Sequence, residues 1–233
     1  MKKTIRKFLF SKKPKIFCIS LQRTGTTSTG RFFRDHGYSV ATYWVSKENS
    51  WTTSYFKGDY ETIFRSKDFR RSQVFEDDPW WVGDFYRVLY HRFPESKFIL
   101  LERDANKWFD SMVSHSNGRT LGITHIHCTQ YQRLKEFHEV VGIKQNNVYT
   151  NVIDNALPLG EEHREHYTSF YKIRNEEVKL FFYHHDNRRL FNAQLEDEKL
   201  WQKMGVFFYI DVDSKYRIHL NKSEKTGSKE PRQ

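Results

Sequence analysis

The chain has 233 residues, of which 37% are hydrophobic and 17% aromatic, and its formal net charge is +10. This length suits one α/β domain, and this composition supplies enough apolar surface for a core, which excludes a disordered protein. Only Cys18 and Cys128 are cysteines, which excludes a disulfide framework and fits a reducing compartment. No apolar run is long enough to span a membrane. We therefore expect a soluble, cytoplasmic protein.

The positive charge lies at the two ends of the chain. Residues 1–14 carry six basic and no acidic residues, residues 215–233 carry six basic and two acidic residues, and the remaining 27 basic and 27 acidic residues cancel. Proteins that bind nucleic acid spread their basic residues over a folded face, so we expect no nucleic-acid binding. We predict a basic arm at 1–14, one domain at 15–210, and a basic tail at 211–233. Both ends can contact an anionic membrane surface.

Short apolar runs alternate with segments of helical periodicity along the chain, which is typical of a mostly parallel sheet with crossover helices. Four strands are predicted, at residues 16–21, 73–77, 97–102 and 189–193. The predicted helices lie at residues 28–36, 82–92, 129–141 and 161–183, after Asp104, and around Trp201 from residue 195 onward. The predicted fold class is therefore α/β, with helices flanking a central sheet.

The loop after the first predicted strand has the composition of an anion-binding site. It consists of Gln22, Arg23, Thr24, Gly25, Thr26, Thr27 and Ser28. Backbone N–H groups and the dipole at a helix N-terminus favour an anion, and a glycine lets the backbone approach a ligand closely. The alternative is an ordinary strand-to-helix turn that a threonine caps.

This loop is not the usual nucleotide phosphate loop. Gly25 and Gly30 have its glycine spacing, but Arg31 and Phe32 follow where that loop has lysine and a hydroxyl residue. A kinase would then lack its phosphate-binding lysine and its Mg²⁺-binding hydroxyl. A kinase with a degenerate loop stays an alternative, as does a nucleotide- or membrane-binding protein without catalysis.

Two further segments, together with this loop, resemble one enzyme family. A strand followed by QRTGTTS resembles the 5'-phosphosulfate loop of sulfotransferases that use 3'-phosphoadenosine-5'-phosphosulfate (PAPS). Arg103 at a strand end and Ser111 on the next helix resemble that family's 3'-phosphate pair. The segments FPESKFILLERDANKWFDSM and LEDEKLWQKMGVFF are also similar, so the resemblance covers about residues 15–208.

The resemblance is to the bacterial, carbohydrate-type branch of these sulfotransferases. It implies a P-loop NTPase-like three-layer fold, PAPS as the donor, 3'-phosphoadenosine-5'-phosphate (PAP) as the product, and no metal. Arg23 stands where related enzymes carry a lysine or arginine that stabilises the leaving phosphate. The acceptor hydroxyl is expected on a carbohydrate or another cell-envelope glycoconjugate.

A base for the acceptor hydroxyl is predicted at an acidic strand end. Asp77 and Asp78 end a predicted core strand, and Asp77-x-Pro79 resembles an acidic strand end in one branch of the family. One of the two aspartates can instead cap the helix predicted to begin near Val82.

The acceptor pocket is expected in the polar insertions at residues 58–72 and 116–160, because loops carry most binding residues. Trp80 and Trp81 either stack on the acceptor or belong to the core. His115, His125 or His127 can instead serve the acceptor or act as the base. The pattern His125-x-His127-Cys128 lacks a partner cluster for a metal ion.

Overall fold

A computed structural model describes residues 14–116 and 160–218 of the chain. Its central sheet contains β1 (Ile16–Cys18), β2 (Val40–Ala41), β3 (Val74–Phe75), β4 (Lys97–Glu102) and β5 (Leu190–Gln194). These strands lie in the order β2-β3-β1-β4-β5, and every neighbouring pair is parallel. β2 and β3 therefore lie on one side of β1, and β4 and β5 lie on its other side. The carboxyl end of β1 is thus a topological switch point, which is the position where open α/β sheets bind ligands.

The strands match the sequence prediction to different degrees. The bounds of β4 agree with the prediction, whereas β1 and β3 are shorter than predicted and β2 was not predicted. Beyond β1, the hydroxyl of Ser20 donates to Ile99 O at 3.3 Å and accepts from Leu101 N at 2.7 Å. A side chain thus replaces the backbone ladder, which explains the early end of β1.

Nine helices surround the sheet in the described residues, and four of them follow one another between β2 and β3. The helices are α1 (Thr26–Asp35), α2 (Tyr43–Glu48), α3 (Trp51–Phe56), α4 (Tyr60–Arg65), α5 (Lys67–Arg71), α6 (Phe85–Arg92), α7 (Ala105–Ser116), α8 (Arg164–His184) and α9 (Leu200–Phe208). None of these helices is long and apolar enough to cross a membrane. The helix predicted at 129–141 lies outside the described residues.

Capping residues account for several helix ends. Asp59 accepts a hydrogen bond from Thr62 N at the start of α4, and Ser66 accepts one from Phe69 N at the start of α5. Asp104, the predicted cap of α7, accepts from Lys107 N at 3.0 Å. The insertion predicted as a polar loop at residues 58–72 is therefore largely helical.

Side chains from alternate strand positions build a core on each face of the sheet. Phe17, Phe75 and Phe98 pack on one face, against residues of α3 to α6 and α8. Ile16 and Val74 pack on the other face, against α1 and α9. The predicted α/β fold, with helices in layers on both sides of a parallel sheet, is thus confirmed.

A third apolar cluster lies past the carboxyl end of β1. It is formed by Leu21, Trp81, Val82, Ala105, Trp108, Phe109, Met112, Tyr167 and Tyr171. These residues come from the loop after β1, the segment after β3, α7 and α8. The cluster holds these four parts of the chain together, and the candidate site lies beside it.

Candidate active site

The loop at residues 22–28 turns directly into α1 through a left-handed glycine. Gly25 has φ +84° and occupies the N-cap position of α1, where it supplies no side-chain cap. A Cβ atom at Gly25 would lie 2.6 Å from Leu195 Cδ1. Only glycine suits this position, because both the backbone conformation and the space exclude a side chain. The loop is thus not the threonine-capped turn of the alternative interpretation.

The other loop residues differ in exposure. Thr24, Thr26 and Ser28 are buried, Arg23 is half-buried and Thr27 is exposed. The hydroxyl of Thr24 donates to Leu21 O, which fixes the turn. Gln22 is 5% exposed, and neither atom of its side-chain amide has a hydrogen-bond partner in the described residues. A buried amide without partners is costly, so this amide is available to a ligand.

Three of the residues predicted to bind the donor lie together. Arg23 Nε donates to Ser111 Oγ at 3.0 Å, and Arg103 Nη1 donates to the carbonyl oxygen of Arg23 at 3.2 Å. Ser111 is 8% exposed. The sequence placed the three residues on three different elements, and the structure joins them at the N-terminal side of α1.

Further contacts hold Arg103 in place. Its backbone N–H donates to the Tyr171 hydroxyl at 2.9 Å, and Tyr171 stacks on Trp108 with ring centroids 4.4 Å apart. Trp108 Nε1 in turn donates to Gln22 O at 3.1 Å. Glu196 Oε1 lies 3.5 Å from Arg103 Nε. Tyr171 and Glu196 could not be recognised as neighbours of Arg103 from the sequence, because both belong to segments distant along the chain. Helical periodicity at 161–183 marked Tyr171 only as a helix residue.

Two of the predicted catalytic residues have left-handed backbones. Arg23 has φ +67° and Asp77 has φ +69°. Side chains other than glycine rarely adopt this region, and such strain is found preferentially at functional sites. Ser50 and Tyr209 have left-handed backbones too, so this conformation alone assigns no role, and the roles of Arg23 and Asp77 stay predictions.

The two aspartates that follow β3, Asp77 and Asp78, lie in different environments. Asp77 is half-buried, and its Oδ1 accepts from Asp78 N at 2.9 Å. Asp78 is 4% exposed, and its Oδ2 accepts from Thr52 Oγ1 at 2.8 Å. The helix predicted near Val82 begins at Phe85, so the expected cap by one of these aspartates is wrong. Asp78 instead ties the strand end to α3.

Glu76 precedes these aspartates and is almost fully buried. Burial, reinforced by the charge of Asp77, raises the pKa of the Glu76 carboxyl to about 8, although Arg34 and the Gly30 N–H oppose the shift. A Cβ atom at Gly30 would overlap this carboxyl group. Gly30 is therefore needed as space for Glu76, which explains the second glycine without a nucleotide phosphate loop.

The residues predicted to contact the acceptor differ in how exposed their side chains are. His115 lies four residues after Ser111 on α7, and burial together with the charge of Arg23 lowers the pKa of its imidazole. Trp80 is 0% exposed, and its ring lies 4.9 Å from that of Phe75. Because Trp80 has no exposed ring surface, it is a core residue. Trp81 is buried in the third cluster.

A metal site was not expected from the sequence. In residues 14–116 and 160–218, no group of three or more His, Cys, Asp or Glu side chains is placed to hold a metal ion. His125, His127 and Cys128 lie outside the described residues.

Comparisons with known proteins give one family. A family model described as a sulfotransferase domain matches residues 15–225, which include both the loop at 22–28 and the segment from Arg103 to Ser111. A search of curated proteins finds no match. Among solved structures, the crystal structure of a sulfotransferase from Alicyclobacillus acidocaldarius is similar at 13% identity and a TM-score of 0.42, covering 89% of this chain and 87% of that chain.

Proposed function

The chain belongs to the sulfotransferase family, and we propose that it transfers the sulfuryl group of PAPS to a hydroxyl on a carbohydrate or cell-envelope glycoconjugate. One observation carries the choice of donor: Arg23, Arg103 and Ser111 converge beside the N-terminus of α1. Two cations and a hydroxyl at a helix N-terminus suit a ligand with phosphate groups at both its 5' and 3' positions.

The residues present fit such a donor. The N-terminus of α1 and the glycine at position 25 favour the 5'-phosphosulfate, because the helix dipole attracts an anion and Gly25 carries no Cβ atom. The unpaired amide of Gln22 supplies further hydrogen-bonding atoms. Arg103 and Ser111 are proposed to hold the 3'-phosphate. Arg103, 20% exposed at its side chain, presents a planar guanidinium suited to a phosphate.

The bound donor would supply an activated sulfuryl group with a phosphate leaving group. Arg23 then places a fixed positive charge at the loop, where negative charge grows as the leaving oxygen separates. Ser111 orients this guanidinium through its hydrogen bond with Nε. A charge held in advance stabilises the transition state more than the ground state, because it requires no rearrangement during the transfer.

The proton of the acceptor hydroxyl needs a base, and two described residues are candidates. Asp77 is half-buried at the carboxyl end of β3 and is our first choice, since Asp78 is already engaged with Thr52. His115 is the second choice, because its lowered pKa leaves a neutral imidazole that can accept a proton. We further propose that the reaction is cytoplasmic and that the basic ends at 1–14 and 211–233 contact anionic membrane surfaces.

Isothermal titration calorimetry with PAP, 5'-AMP and ATP tests the choice of donor. We expect PAP to bind most tightly, because it alone engages both proposed phosphate sites. Equal affinities for PAP and 5'-AMP would contradict the 3'-phosphate site. Release of PAP from PAPS in the presence of hydroxyl acceptors tests the reaction itself, whereas Mg²⁺-dependent ATP turnover would favour the kinase alternative. PAP affinity without turnover would favour a binding protein.

A further inference from the structure

Arg174 on α8 is a buried cation whose hydrogen-bonding groups are only partly used. It is 8% exposed, and its Nη2 donates to Trp81 O at 3.2 Å. Its Nε and Nη1 have no hydrogen-bond partner in the described part of the chain. None of the ion pairs found in residues 14–116 and 160–218 includes Arg174. Burial lowers its pKa to about 10, so the side chain keeps its charge at neutral pH.

A half-buried arginine, Arg189, shows how this fold satisfies a purely structural guanidinium. Arg189 donates from Nε to Ser96 O at 2.8 Å and from Nη2 to Phe93 O at 2.8 Å, and it lies 3.8 Å from the ring of Tyr90. Arg174 has one such carbonyl contact, and its guanidinium lies 6.0 Å from the ring of Tyr86. A buried charge is costly unless it is paired and hydrogen-bonded, so the groups of Arg174 that lack partners in the described residues are suited to an anion.

A second unpartnered group lies in the same region. Gln22 is 5% exposed, and both atoms of its side-chain amide lack hydrogen-bond partners in the described residues. Its backbone carbonyl accepts from Trp108, which stacks on Tyr171, and Tyr171 precedes Arg174 by three positions on the buried face of α8. Gln22 thus contacts this aromatic pair through its backbone carbonyl, and Arg174 lies about one helical turn from Tyr171.

The position of Arg174 along α8 separates it from the donor residues. Tyr171 contacts the donor side through Arg103 N. Arg174, about 4.5 Å farther along the helix axis, contacts Trp81, which follows the acidic strand end of Asp77 and Asp78. The loop and Arg103 with Ser111 already account for the anionic groups of the proposed donor. Arg174 therefore lies on the side where the acceptor is expected.

We propose that Arg174 binds an oxyanion of the acceptor, so that the acceptor carries a carboxylate, sulfate or phosphate group besides the hydroxyl that receives the sulfuryl group. This inference rests on the proposed function, because it takes the donor site as given. A guanidinium forms strong, charge-assisted hydrogen bonds with each of these oxyanions.

Four sugars test the proposal on the full chain saturated with PAP. Calorimetry compares methyl β-glucuronide, glucose 6-sulfate and glucose 6-phosphate with the neutral methyl β-glucoside. We expect at least one anionic sugar to bind about tenfold or more tightly than the glucoside, the effect of one good charged contact. The anionic sugar that binds most tightly shows which oxyanion, carboxylate, sulfate or phosphate, Arg174 prefers. No preference for any of the three anions over the glucoside would overturn the proposal.

Two variants test whether Arg174 causes the preference for an anionic sugar. Arg174→Gln should remove the preference for the anionic sugar and leave PAP affinity unchanged, whereas Arg174→Lys should keep part of it because the charge remains. Arg189→Gln is the matched control, since it removes a structural arginine and should lower thermal stability without changing the preference. Should Arg174→Gln not fold, the Lys variant provides the comparison.

The outcomes distinguish this proposal from the proposed function. If PAP binds the wild type and no anion preference exists, the role of Arg174 is wrong while the donor assignment stands. If PAP does not bind the wild type, the donor assignment fails. A loss of PAP affinity in Arg174→Gln, with Arg189→Gln unaffected, would overturn the proposal by placing Arg174 in the donor site.

Discussion

Arg23 Nε and Ser111 Oγ form a hydrogen bond of 3.0 Å that joins the loop after β1 to α7 across 88 positions of the sequence. The contact links the proposed 5'-phosphosulfate site to the proposed 3'-phosphate site. Arg103 reinforces this link through the carbonyl oxygen of Arg23. A substitution at one of these residues can therefore affect both sites, and each test needs a ligand or control that separates them.

Arg103→Ala should weaken PAP binding far more than 5'-AMP binding. The expected loss for PAP is roughly 2–4 kcal/mol, because a largely desolvated, charge-assisted contact with the 3'-phosphate disappears. Calorimetry with the two nucleotides measures it. Glu196→Gln is the control: it removes the carboxylate 3.5 Å from Arg103 Nε but keeps the guanidinium, so PAP affinity should be retained. Equal losses for both nucleotides would show that Arg103 only supports the loop.

Arg23→Met should lower kcat more than it lowers donor affinity. The charge of Arg23 is proposed to act as the leaving phosphate develops negative charge, so its removal affects the transition state first. PAPS turnover under saturating donor, together with PAP affinity, measures the two effects. Arg31→Met removes an exposed arginine paired with Asp35 on α1 and should leave both unchanged. A large rise in KM at constant kcat would instead identify Arg23 as a simple anchor.

Asp77→Asn should cut turnover by about two to four orders of magnitude, the usual contribution of a general base. The fold and PAP affinity should be preserved, which unfolding curves and calorimetry verify. Turnover near the wild-type value would exclude Asp77 as the base, and His115→Gln would then be the next variant to measure.

Asp78→Asn should act on stability rather than on chemistry. Asp78 is buried and accepts a hydrogen bond from Thr52, so weakening this contact should cost about 1–2 kcal/mol of the free energy of unfolding. Thr52→Val should give a loss of similar size, because it removes the other partner. A turnover defect in Asp78→Asn as large as that of Asp77→Asn would contradict this division of roles.

Glu76→Gln should change how stability depends on pH. Because the pKa of Glu76 is raised to about 8, the folded state keeps this proton between the ordinary carboxyl range and pH 8, while the unfolded state loses it. Wild-type stability should therefore fall relative to the variant as pH rises through this window, by at most about 1.4 kcal/mol per pH unit. Urea unfolding from pH 5 to pH 8 measures the difference. Parallel curves would refute the assignment, and Glu48→Gln controls for loss of an exposed carboxylate.

The sequence by itself determined the features that local signals specify. An apolar run bounded by turn residues predicted β4 with its observed bounds, and the glycine in the loop after β1 marked the turn into α1. Asp104 marked the start of α7 because a cap acts within one helical turn. The roles of Asp77 and His125 stay predictions, and His125 lies outside the described residues.

The tertiary structure alone decided which distant residues meet. The two-residue strand β2 exists only through its pairing with β3, and no local pattern announces so short a strand. Trp80 became a core residue and Glu76 a buried carboxyl because partners elsewhere in the chain surround them. Tyr171 contacts Arg103 and Arg174 contacts Trp81 from α8, where helical periodicity marks a buried face but not its neighbours. Their contacts depend on packing between elements, which sequence spacing does not encode.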